Sequence, residues 1–170
     1  MKAQIFTFFI LISPLLGSSQ KNVESTNEFV IKGLVETPKT ITFADLQNKQ
    51  TVEIGDFKIT NHVGEFRKEY KNMKGVPLLS LLNDIKITTE SPKLLSEYYL
   101  ILKASDGYSV VLSWNELFNT DLGNSFFIVT EADGKSQTDS SERILMIANK
   151  DFKTGRRHIK GLQSIEIKKI

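Results

Sequence analysis

The chain opens on one long apolar run, then breaks into short stretches where apolar and polar positions change places every few residues. Ile5–Leu16 is apolar apart from Thr7, Ser13 and Pro14, with Lys2 before it and the small residues Gly17, Ser18 and Ser19 after it. At 12 residues the run is shorter than the roughly 20 needed to cross a bilayer, and Pro14 would break a spanning helix. A positive charge, a short apolar run and small residues, in that order, describe a secretory leader. Residues 1–19 are therefore expected to be a signal peptide, not an anchor, with cleavage near Ser19–Gln20. Residues 20–27 are polar and read as a flexible lead-in. Residues 28–170 read as one domain, without repeat, low-complexity tract or internal boundary.

Within that domain the patterning predicts short strands. Phe29–Val35 is rich in β-formers and stops before Pro38. Thr42 and Asp45 suit the cap and first turn of a short helix. Thr51–Ile54 and Phe57–Asn61 flank Gly55-Asp56, a turn signal, and predict a strand pair. Phe66–Tyr70 fits either a continuing strand or a helix face. In Lys74–Leu82, Gly75 predicts a turn, and Pro77 the start of a helix that buries Leu78, Leu79, Leu81 and Leu82. Tyr98–Ala104 and Tyr108–Leu112, around Ser105-Asp106-Gly107, predict a hairpin. Ser113 and Glu116 have capping-box spacing for a helix through Phe118. Phe126–Thr130, Arg143–Ala148 and Ile159–Ile167 complete the strands, Ile165 and Ile167 alternating with Glu166 and Lys168. Many short strands, few short helices and no regular βαβ rhythm predict an α+β fold with mixed or antiparallel sheets.

Composition narrows the chemistry. The chain has no cysteine, which excludes disulfides, zinc–thiolate sites, thiol redox chemistry and a Cys nucleophile. In an oxidising compartment the fold must stand on its core alone. Two histidines, His62 and His158, cannot make a three-histidine metal site. There is no phosphate loop, dinucleotide fingerprint or nucleophile elbow. The formal net charge of +2 falls to +1 once Lys2 leaves with the leader. Near-neutrality offers no electrostatic case for nucleic acid or an anionic membrane, and the mature chain is expected to have no membrane span. Trp114 and the phenylalanines are most simply core, and Asp139–Glu142 reads as a polar loop.

Two spots carry candidate chemistry. His62 lies between Asn61 and Gly64 at a strand end. It reads as a ligand or proton-transfer residue, or as a turn histidine bonded locally. Arg156, Arg157 and His158 read as an anion pocket, since guanidinium forks bind phosphate or sulfate bidentately, or as a solvated basic turn. The candidate ligand-binding residues are therefore Asn61, His62, Arg156, Arg157 and His158. No catalytic residue is assigned.

Four groups of residues follow one another in a telling order. They are Phe29–Val35 with Pro38, Ile41-Thr42 and Asp45-Leu46; Lys74–Leu78 with Leu81-Leu82; Ser105–Tyr108 with Val110-Val111 and Glu116-Leu117; and Gly161-Leu162 with Ile165–Ile167. Together they resemble the oxidoreductase molybdopterin-binding domain, the catalytic domain of the sulfite oxidase family. The second group is similar to that family's W-x-G-V-P-L-x-x-L-L motif. The resemblance implies the family's fold and a molybdopterin cofactor. It also implies a cysteine thiolate on molybdenum in the segment before G-V-P-L. Here that segment, roughly Lys58–Gly64, has no cysteine, and Asn72 and Met73 stand near the place of the motif's tryptophan. Thiolate is what holds and tunes a soft-ligated metal. The resemblance further implies enzymes loaded in the cytoplasm and exported folded by the twin-arginine route, yet no Arg-Arg pair precedes Ile5. The expectation is a periplasmic or secreted, non-catalytic chain of this fold, binding a small anionic or pterin-like ligand or an envelope redox protein. The alternative is an active molybdopterin-dependent oxidoreductase that holds its metal without cysteine.

Overall fold

The computed structural model describes residues 22–170, so the leader expected over residues 1–19 lies outside the described residues. In chain order the elements are β1 (Glu28–Gly33), β2 (Lys39–Thr42), α1 (Phe43–Gln47), β3 (Val52–Thr60), β4 (Phe66–Pro77), α2 (Leu78–Leu82), β5 (Tyr98–Ala104), β6 (Ser109–Ser113), α3 (Trp114–Phe118), β7 (Phe126–Ala132), β8 (Lys135–Ser136), β9 (Met146–Ala148) and β10 (Leu162–Lys169). Short 3-10 turns at Pro92–Glu97, Asp121–Ser125, Gln137–Asp139 and Thr154–Arg157 join them.

The strands form two sheets. The first runs β2-β1-β10-β5-β6. Its β1–β10 pair is parallel, with Ile31 beside Ile165, and its other pairs are antiparallel. The second runs β3-β4-β7-β8, antiparallel throughout, with β9 also pairing β7. The fold is thus α+β with a mixed sheet, as the patterning predicts.

β7 explains how two cores share one sheet. Phe126 and Ile128 face the main core beside Ile31, Leu100, Leu102 and Ile165. Their neighbours Phe127 and Val129 face a second core with Phe57, Ile59, Tyr70, Met73, Leu145 and Ile147. A strand buried on both faces reads as an unbroken apolar run, which is what Phe126–Val129 is. Register shifts in β3 and β4 bend that hairpin over the second core, as bulges do. Burying such a side chain contributes about 1.5–3 kcal/mol, so the second core is a substantial anchor for the site built on β4.

Several elements differ from the sequence reading. Thr51–Ile54 and Phe57–Asn61 are not a hairpin around Gly55-Asp56; Val52–Thr60 is one continuous strand. Gly55 sits at a register shift with φ +83, which glycine tolerates. Asp56 spends its turn-forming carboxylate on β4, accepting from the Asn72 N–H and Lys71 Nζ. The real reversal is at Asn61–Glu65, where the Asn61 Oδ1 accepts the N–H groups of Val63, Gly64 and Glu65. Phe66–Tyr70 is strand. Gly75 makes no turn: it lies within β4, where a Cβ would come 2.7 Å from the Ile128 carbonyl oxygen. Pro77 does precede the helix, but Leu79 is only partly buried. Of Arg143–Ala148 only Met146–Ala148 is strand, because Ile144 pairs instead with the Thr26 hydroxyl and the Leu162 N–H.

Caps behave as their residue types demand. Thr42 and Asp45 form a complete capping box on α1. Ser113 accepts the Glu116 N–H, but the Glu116 carboxylate bonds Arg157 instead. The lead-in is also more tied down than its polarity suggests. Glu24 bonds Ser105 through both backbone groups, and Thr26 donates its hydroxyl to the Leu162 carbonyl. No helix among the described residues is long and apolar enough to cross a membrane.

Candidate functional site

At the end of the second core a polar cluster forms around Glu142. Tyr70 lies on β4 opposite Phe57, its ring buried and its hydroxyl turned to Glu142. That hydroxyl donates to Glu142 Oε2 at 2.5 Å. Lys68, two residues earlier on the same strand, reaches the same oxygen at 3.4 Å and lies 4.1 Å from the centre of the Tyr70 ring. Lys160 binds the other oxygen at 2.6 Å. The Gly161 N–H fastens the Glu142 carbonyl. His158 completes the cluster, its Nε2 3.2 Å from the Tyr70 oxygen.

The electrostatics follow from this packing. Burial alone would push the Glu142 carboxyl up. Hydrogen bonds from Lys160 and Tyr70, with the charges of Lys160 and Lys68, outweigh it and hold the group at about 2. Burial and the two lysines bring His158 down to about 4, against the opposing pull of Glu142. Burial, then the bond to Glu142, pushes Tyr70 up. At neutral pH the cluster therefore holds Glu142 ionised, Tyr70 and His158 neutral, and two lysine cations. Tyr70 has one proton, which it gives to Glu142. His158 must then be the donor in its bond to Tyr70, which assigns the proton to Nε2.

The cluster separates two hollows. One is a cleft of about 760 Å³ bordered by Lys68, Tyr70, Lys135, Gln137, Ser140 and Glu142. The other, about 210 Å³, is bordered by His158, Lys160, Asp106 and Tyr108. A further hollow at Glu36–Lys39 and Asp84–Lys86 carries only exposed ion pairs, which contribute little.

The five residues singled out by sequence do not converge on one pocket. Asn61 is consumed by its turn, its Nδ2 donating to Glu65 at 2.9 Å. His62 is exposed on that turn. Arg156 is exposed, and its carbonyl accepts the Tyr108 hydroxyl at 2.6 Å. The Arg157 guanidinium is held by Asp151 and by Glu116 and lies 4.9 Å from the centre of the Phe126 ring. His158 alone joins the cluster. Tyr70, Lys68, Glu142 and Lys160 escaped the sequence reading. A faint signal was present: Glu142 is an acid just before the buried run Ile144–Ala148, and Lys160 follows His158 at strand spacing.

With the geometry in hand, the chain can be compared with known proteins. No protein-family model and no curated protein matches it. Among solved structures it superposes on the sulfane dehydrogenase SoxCD from Paracoccus pantotrophus with a TM-score of 0.59. The two share a fold. Identity is 14%, and the superposition covers 88% of this chain but 39% of the other, so this chain spans well under half of that one's length. At that identity the likeness speaks for the fold alone.

The residues present do not fit a thiolate-held molybdenum centre. The chain has no cysteine, and no three His, Asp or Glu side chains among the described residues are grouped to hold a metal ion. In the segment Lys58–Gly64 the buried strand end is already committed, while His62 is exposed on the turn. Thr60 exchanges hydrogen bonds with Thr154, and Lys58 gives its carbonyl to the same hydroxyl.

Proposed function

We propose that this chain is an exported binding module on an oxidoreductase-related fold, and that its cleft at Glu142 takes a small anionic or pterin-like ligand without redox chemistry of its own. The observation that carries the reading is the convergence of Lys68 and Lys160 on one carboxylate. Lys68 faces the cleft and Lys160 the smaller hollow, so the shared carboxylate carries a cation on each side, and the exposed Asp133 and Asp139 lie further along the cleft border. Each ammonium has three donors and uses only some of them on Glu142. Lys135 and the Ser140 hydroxyl border the same cleft and supply further donors. A buried, hydrogen-bonded Tyr70 and a neutral His158 fix the geometry of the floor. Such preorganisation lowers the ordering cost of binding.

The secretory character of residues 1–19 supports export, and the unused ammonium donors of Lys68 and Lys135 support an anion. The resemblance to the molybdopterin-binding domain supports a pterin-like ring as one candidate occupant. The test is mass spectrometry and elemental analysis of the protein recovered from its own envelope, followed by calorimetric titration with sulfate, phosphate and a soluble pterin. The expected result is no stoichiometric molybdenum, with binding of at least one probe weakened about tenfold by Lys68→Gln with Lys160→Gln. Stoichiometric metal, or affinity unchanged in that variant, would overturn the proposal.

A further inference from the structure

Away from the cleft, two loops carry apolar side chains into solvent. Val63 and Phe66, on and beside the Asn61–Glu65 turn, are 58% and 61% exposed, and Phe152 is 101% exposed. Isolated exposed apolar residues are ordinary, but these belong to segments tied side by side. Thr60 lies opposite Phe66 in the ladder. Its N–H donates to the Thr154 hydroxyl at 2.9 Å, and the Thr154 N–H returns a bond at 3.2 Å. Gly155 packs so closely that a Cβ there would sit 2.2 Å from the Thr60 carbonyl oxygen.

The unpaired charge on these loops has one sign. Lys150, Lys153 and Arg156 are exposed and carry no ion pair among the described residues. The acids of the two loops themselves are spent, Asp151 on Arg157 and Glu65 on Asn61 and Arg67. A net charge near zero for the whole chain hides this local excess. We infer that this end of the molecule docks on an anionic lipid surface, with Phe152, Phe66 and Val63 entering the interfacial layer and the cations meeting headgroup phosphates. Three side chains at loop tips expose roughly 400 Å² at most, short of the ~800 Å² per partner of a stable protein interface. Insertion into lipid needs depth and charge instead of a wide complementary face. The inference stands whatever the cleft binds.

Vesicle co-sedimentation tests it, using phosphatidylcholine alone and phosphatidylcholine with phosphatidylglycerol. Because Ile5–Leu16 is itself apolar, wild type and variants are prepared identically and the readout is their difference. Wild type should bind the anionic vesicles and release with added salt. Phe66→Ser with Phe152→Ser should lower partitioning about tenfold or more. Lys150→Gln, Lys153→Gln and Arg156→Gln together should abolish the preference for phosphatidylglycerol. The emission of Phe152→Trp should shift to the blue on those vesicles. Equal sedimentation of wild type and the Phe variant, or no blue shift, overturns the inference. So does an envelope protein whose capture needs Phe152 while the vesicles stay unbound.

Discussion

The Tyr70 hydroxyl donates to Glu142 across 2.5 Å, joining a buried strand residue to a loop carboxylate 72 positions later in the chain. The pair ties the second core to the polar cluster. It also decides the tautomer of His158, because the one tyrosine proton is already committed. Loss of the hydroxyl would leave a buried carboxylate with two lysines and an imidazole N–H with no acceptor.

Tyr70→Phe should keep the ring packing and remove that bond. Stability should fall by about 1–2 kcal/mol, read as a lower urea midpoint at unchanged slope. The Glu142 carboxyl should titrate above about 2, checked by carbon-13 NMR of the carboxylate. An unchanged midpoint would mean the bond adds nothing net.

Acidification should unfold the protein in two windows. His158 is held down to about 4 against an ordinary 6.5, so the unfolded chain takes up its proton first. The stability this group contributes is complete above 6.5 and is lost as pH falls to about 4. Glu142 is held down to about 2 against 4.5, so its contribution is complete above 4.5 and is lost as pH falls to about 2. Each window should remove on the order of 2 kcal/mol. Urea midpoints followed across pH should show both, with His158→Gln flattening the upper window and Glu142→Gln the lower.

The two adjacent arginines should behave oppositely. Arg157→Ala leaves Asp151 and Glu116 half-buried without their partner and removes the contact with the Phe126 ring. A loss of about 2–4 kcal/mol is expected. Arg156→Ala alters an exposed side chain and should stay within about 0.5 kcal/mol of wild type. Thermal melts of the two variants decide the matter, and equal midpoints would contradict the assignment of Arg157 as a clamp.

Gly75→Ala should be costly although alanine is small. Its Cβ would meet the Ile128 carbonyl oxygen at 2.7 Å, with the Ile54 side chain at 3.1 Å. Either β4 and β7 separate or the ladder distorts, at about 1–3 kcal/mol. Gly134→Ala has open space but a φ of +72, so its penalty is local strain of about 1 kcal/mol. Hydrogen exchange should then report weakened β4–β7 amides in the first variant and unchanged ones in the second.

What could be read from the sequence was what neighbours in the chain decide. The β5–β6 hairpin, the alternation in β10 and the Thr42–Asp45 box are set within a few residues, by side-chain period and backbone preference. The order of motifs also carried the fold class, in keeping with the superposition at a TM-score of 0.59. Gly55-Asp56 was misread for a tertiary reason: the Asp56 carboxylate serves the opposite strand and the glycine admits a bulge. Gly75 was misread because the need for glycine there comes from Ile128, more than fifty residues away. The Tyr70–Glu142–His158 cluster, the neutralising of Arg157 and the cationic, apolar loop pair are likewise long-range facts. Net charge and residue lists are sums over the chain, whereas desolvation, pairing and local potential depend on which groups the fold brings within a few ångströms. The sequence by itself determined where most strands lie, which residues mostly seek the core and that no thiolate exists. Only the tertiary structure decided which polar groups meet, and so which were left free to bind.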